Sequence, residues 1–173
     1  MTLTTREDLV REKAAEARRQ EDRMAAGHPV TLYTGREATS ALLNVPDHSR
    51  LSAWLYNMDS PILGCVRTGG LFIEASFNRA FIEAIVDELP PQGDRSMVVP
   101  RTPIKVRVLF GSGLSVSGNL HVIEGTRWTD SLNFDTGSFR AITDAVITPA
   151  GEEPRQGGDA LVNLHLATRI ERA

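Results

Sequence analysis

Between residues 29 and 87 apolar and polar residues alternate in short runs broken by glycine, proline and asparagine, and the same texture returns between 102 and 172. A period of two over such runs marks half-buried strands. It predicts strands or strand-like runs at Val30–Tyr33, Ala38–Val45, Ile62–Thr68, Leu71–Ala75 and Phe81–Val86. Four more follow at Ile104–Phe110, Leu114–Ile123, Phe139–Thr148 and Ala160–Ile170. Gly69-Gly70 and Gly111-Ser-Gly113 read as hairpin turns, with glycine supplying positive φ. The stretch from Asp87 through Pro103 holds four prolines and a glycine. Proline cannot donate into a ladder, so this stretch reads as a linker. Pro149–Asp159 reads as a polar loop.

The first segment has a different period. Arg6–Ala26 contains no glycine or proline and is rich in Ala, Glu, Arg and Leu, which predicts a helix. Thr4 with Glu7, or Thr5 with Asp8, suits a capping box at its start, and Gly27 with Pro29 ends it. Its apolar stripe is thin: Leu3, Val10, Ala17 and Met24 recur every seven residues, with Ala14 beside them. So little apolar area leaves an isolated helix marginal. Val10, Ala14, Ala17 and Met24 are therefore the candidate contacts of a partner-binding helix.

The two strand-rich segments align with each other. Val30-Thr-Leu-Tyr-Thr-Gly35 matches Val106-Arg-Val-Leu-Phe-Gly111 at an offset of 76, and Ser40, Leu43, Val45, Arg50 and Leu55 match Ser117, Leu120, Val122, Arg127 and Leu132 at 77. The segments end on Ile82-Glu83 and Ile170-Glu171. Within each, Ser49-Arg-Leu-Ser-Ala-Trp-Leu-Tyr-Asn57 and Thr126-Arg-Trp-Thr-Asp-Ser-Leu-Asn133 read as a short helical elbow opening on a hydroxyl residue. Leu55 and Leu132 are expected in the core, with Arg50 and Arg127 at the surface. The chain is thus read as a helix over 1–28, a first β unit over 29–87, a linker over 88–101 and a second β unit over 102–173.

A strand-turn-strand opening, this hydroxyl–Arg–apolar elbow and the strands after it resemble an uncharacterised bacterial family of small Sm-like β-barrels. The resemblance covers both copies and implies a tandem pair of five-stranded, strongly bent barrels, mainly β with an N-terminal α-helix, and no established catalytic residues. The last two strands of neither copy carry an Asp-x-x-x-Asn followed by an Arg-Gly pair, the pattern of the RNA-binding members.

Composition narrows the chemistry. The chain has 173 residues, a net charge of -3 and a single cysteine, Cys65, which excludes an intramolecular disulfide and any multi-cysteine metal site. Cys65 lies in the apolar run Ile62–Val66 and reads as a small buried hydrophobe. His28, His48, His121 and His165 lack metal-ligand spacing. Gly111–Gly118 lacks the Lys-Ser/Thr of a phosphate loop, and Ser115 and Ser117 lack a nucleophile elbow. No catalytic residue, metal or cofactor is expected. Neither a signal peptide nor an apolar run long enough for a membrane span is evident, so the expected location is the cytoplasm.

Arg101, Lys105 and Arg107, with Arg169 and Arg172, form one basic patch for RNA or a protein partner, or a charged edge that blocks strand-to-strand aggregation. The function expected is a non-enzymatic scaffold or accessory subunit, working through protein–protein interaction or as a homo-oligomer. The alternative is an Sm-like RNA-associated regulatory factor.

Overall fold

Alternating Val, Leu, Ile and Thr side chains satisfy a pleated chain that buries one face, and that pattern recurs in most of the ten strands among the described residues. A computed structural model describes residues 27–46, 50–56, 61–69, 71–89, 101–133 and 137–173. The first half holds β1 (His28–Thr34), β2 (Glu37–Leu43), α1 (Leu51–Tyr56), β3 (Ile62–Thr68), β4 (Leu71–Phe77), a 3₁₀ turn (Arg79–Phe81) and β5 (Ala84–Asp87). The second holds β6 (Arg101–Phe110), β7 (Ser115–Ile123), α2 (Trp128–Asn133), β8 (Phe139–Thr148), β9 (Arg155–Asn163) and β10 (Ala167–Arg172). The predicted helix Arg6–Ala26, with Val10, Ala14, Ala17 and Met24, lies outside the described residues, as do residues 90–100 of the linker.

All pairings are antiparallel, and they join into one sheet of order β10-β6-β7-β8-β9-β5-β1-β2-β3-β4. The order within the first half, β5-β1-β2-β3-β4, is the order within the second, β10-β6-β7-β8-β9. The expectation of two tandem Sm-like barrels is overturned. Among the described residues the sheet is a single open one ending at β10 and β4, and neither half closes on itself. The physical reason lies at β5. Its outer edge pairs with β9 of the other half, Ala84 against Val162, Ile85 against Leu161 and Val86 against Ala160. A strand edge is satisfied as fully by a neighbouring copy as by its own.

The junction also mixes the two cores. Leu161 of β9 packs with Val30, Leu32, Leu43, Leu51, Leu55 and Ile85 of the first half. In return Tyr33, Ala84 and Val86 pack with Val106, Val108, Val116 and Ile142 of the second. Side chains of a strand alternate between faces, so each junction strand feeds both cores at once.

Several boundaries differ from the sequence reading. Ala160–Ile170 is two strands, because Asn163 to Leu166 turns the chain. Arg155–Asp159, expected in a polar loop, opens β9, and Arg155 pairs with Ile147. Gly157 makes that approach possible, since a Cβ there would stand 2.9 Å from the Ile147 side chain. The stretch expected as a strand from Phe81 starts with the 3₁₀ turn and extends only from Ala84. The match of Ile82-Glu83 to Ile170-Glu171 is three residues out of step. Ile85 faces Leu32 as Ile170 faces Val108, and Val86 faces Thr31 as Glu171 faces Arg107. Leu55 is fully buried, whereas Leu132 is half-buried against the second core. Arg50 and Arg127 are exposed as expected.

Candidate assembly interface

The two ends of the sheet are chemically unlike. At one end β4 reads Leu71-Phe-Ile-Glu-Ala-Ser-Phe77, without proline or lysine and with Glu74 as its single charge. It pairs with β3 on one side only, so its outer N–H and C=O groups face away from the sheet. Leu71 is 70% exposed and Ile73 49%, and Phe72 and the neighbouring Leu63 are exposed on the opposite face. Natural edge strands are commonly blunted by charge, proline or a bulge. β4 carries little of this protection.

At the other end β10 is charged. Arg169 bonds Glu171 at 2.8 Å, and Glu171 lies opposite Arg107. Of the five residues of the predicted basic patch, the structure brings four onto one face. Arg101, Lys105 and Arg107 alternate outward along β6, and Arg169, opposite Leu109, joins them. Arg172 lies opposite the buried Val106, on the other face. Glu171 sits within the patch and offsets part of its charge.

Between these ends the internal junction is closed by polar contacts that the sequence reading missed. Asn163 ends β9 and is 3% exposed. Its Nδ2 donates to the carbonyls of Ile82 at 3.1 Å and Arg79 at 3.2 Å, its Oδ1 accepts from His165 N–H at 3.1 Å, and its own N–H donates to Glu83 O at 2.8 Å. Glu83 is buried beside it. Its N–H donates to Tyr33 O, and its Oε2 accepts from Ser112 Oγ at 2.7 Å. Burial raises the Glu83 pKa above the usual carboxylate range, against the opposing effect of the Ser112 hydrogen bonds. Arg79 crosses the same seam, donating to Ser138 Oγ and lying over the Phe139 ring.

The same turn occurs at the free edge. Asn78 follows β4 as Asn163 follows β9, and its Oδ1 accepts from Ala80 N–H at 3.0 Å. Phe81 N–H bonds Asn78 O and Ile82 N–H bonds Arg79 O, just as Leu166 N–H bonds Asn163 O and Ala167 N–H bonds Leu164 O. Asn78, however, is exposed. An asparagine follows an apolar strand end in both places, Phe77-Asn78 and Val162-Asn163, but taking Ala160–Ile170 as one strand conceals the second turn.

Acidic groups gather on one side of the junction. Asp87 bonds His28 Nε2 at 2.8 Å, and Asn119 donates to Asp144, which has φ 52° at the bulge of β8. Burial raises the Asp159 pKa, and Asp87 and Asp144 raise it further, while His121 opposes them. His121 bonds Thr143 Oγ1, and His165 lies exposed in the β9–β10 turn. Among the described residues no group of His, Cys, Asp and Glu is arranged to hold a metal ion. Cys65 is buried, and burial and then Glu74 raise its thiol pKa, which disfavours the thiolate. Among the described residues no helix is long and apolar enough to cross a membrane.

These features define a mainly β chain with two unlike free sheet edges and a strand-paired junction between its halves. No protein-family model, curated protein or solved structure matches this chain.

Proposed function

We propose that this protein is a non-enzymatic, cytoplasmic assembly subunit that binds protein through the β4 edge of its sheet. The observation that carries the reading is Leu71–Phe77 itself, an edge strand that pairs on one side only among the described residues and has exposed apolar side chains on both faces. Strand addition at such an edge gains main-chain hydrogen bonds and buries apolar surface together. The charged β10 edge is a poor phosphate site, because Glu171 lies within its arginines and offsets their charge.

The test is light scattering with affinity capture from native cells, comparing the natural chain with Ile73→Lys. The natural chain is expected to form an oligomer or to recover a stoichiometric protein, and Ile73→Lys to abolish either. A monomer that recovers no protein would refute the reading. So would retention on RNA at physiological salt that is lost on Lys105→Glu, which would favour an RNA-associated factor instead.

A further inference from the structure

We infer that the occupant of the β4 edge is the β10 edge of a second copy of this chain, joined in the register that β9 and β5 use inside it. The inference rests on the reading of β4 as an assembly edge and specifies its partner.

The equivalences come from the ladders. Leu43 faces Gly64 as Leu120 faces Ile142, which sets β3 on β8 and carries Ala75, Ser76 and Phe77 onto Ala160, Leu161 and Val162. In the same way Ala84, Ile85, Val86 and Asp87 correspond to Arg169, Ile170, Glu171 and Arg172. β9 and β5 are already paired within the chain, whereas β4 and β10, their counterparts, are free. Copying the internal register between two chains sets Phe77 against Arg169, Ser76 against Ile170 and Ala75 against Glu171.

Two details favour this occupant over others. One step further along the internal ladder, Asp87 and Asp159 come together, and the two carboxylates repel. The equivalent pair between chains is Arg172 with Glu74, which attract. Charge therefore favours the junction between copies at the position where it opposes the internal one. The second detail is Asn78. Copying the Asn163 contacts directs its Nδ2 to the carbonyls of Leu164 and Ala167 in the next chain, counterparts of Arg79 and Ile82, and its N–H to the carbonyl of Thr168, the counterpart of Glu83. Asn78 already holds the rotamer-fixing bond to Ala80 N–H that Asn163 holds to His165, so its amide is oriented before any partner arrives. Arg169 opposite Phe77 adds a cation over an aromatic ring, as Arg79 does over Phe139 within the chain. The contact is head-to-tail, so copies close into a ring or continue as a filament, according to the rotation per step.

The experiment mixes two chains, Ala75→Cys and Glu171→Cys, each carrying Cys65→Ala. Facing residues of antiparallel strands lie within disulfide reach. Oxidation is expected to link the mixture into a species of about twice the 18.9 kDa chain, and to link neither chain alone. Separately, Asn78→Asp keeps the acceptor for Ala80 N–H but loses the donor. It is expected to reduce the light-scattering mass to one chain while the circular dichroism spectrum and a cooperative melt are retained. Linkage of Ala75→Cys to itself would overturn the inference in favour of β4–β4 pairing. An unlinked mixture would also overturn it. If Ile73→Lys then still releases a different captured protein, the reading of β4 as an assembly edge survives; if it releases nothing, both fall.

Discussion

Replacing Asn163 by alanine measures how much the internal junction contributes to stability, and Asn78→Ala is its matched control. Both residues end a strand and hold the same turn, but Asn163 is buried at the junction and Asn78 is exposed at the free edge. Loss of either side chain frees the N–H two residues on, which costs about 1 kcal/mol by analogy with a helix cap. Asn163→Ala also strips the Nδ2 donor from Ile82 O, an acceptor inside the seam, whereas Arg79 O keeps its bond from Ile82 N–H. One orphaned buried carbonyl costs about 1–3 kcal/mol. The expected totals are therefore about 2–4 kcal/mol for Asn163→Ala and about 1 kcal/mol for Asn78→Ala. Urea unfolding, at a dilution where light scattering finds single chains, would read the difference as a lower midpoint with an unchanged slope. Equal costs for the two variants would refute the reasoning, since they would show that the contacts across β5 and β9 add nothing to the local turn. A separate early transition in Asn163→Ala would show instead that the halves unfold independently.

Two further outcomes follow from burial. Leu55→Ala is expected to cost about 2–5 kcal/mol, because its side chain is fully enclosed, and Leu132→Ala less, because it lies half-buried; equal losses in denaturant unfolding would contradict this. The raised pKa of Glu83 means the native state holds that proton more tightly than the unfolded chain, so its contribution to stability is present at low pH and is lost as pH rises through the carboxylate range. Glu83→Gln removes this dependence while keeping an acceptor for Ser112. Its melting temperature, relative to the natural chain, should therefore be higher at about pH 8 than at about pH 4. Parallel melting curves at both values would show that Glu83 ionisation does not matter.

Local chemistry made much of the chain readable before any coordinates. Alternation marked most strands, Gly111-Ser-Gly113 marked a hairpin in which Gly113 has φ 92°, and the change of offset from 76 to 77 corresponds to a β6–β7 turn one residue longer than that between Thr34 and Glu37. Burial of Cys65 and exposure of Arg50 and Arg127 were legible for the same reason, since each depends on a few neighbouring residues. The pairing of edges was not. Ala84–Asp87 has the same residues and the same hydrogen-bonding groups whether it closes its own half or joins the next, and only the positions of β9 and β4 in space decide between them. That decision turned two expected barrels into one open sheet, buried Asn163 while leaving Asn78 exposed, and left β4 as the apolar end. Register and strand type are properties of a segment, but an edge becomes a junction or a free surface only when the whole sheet is assembled.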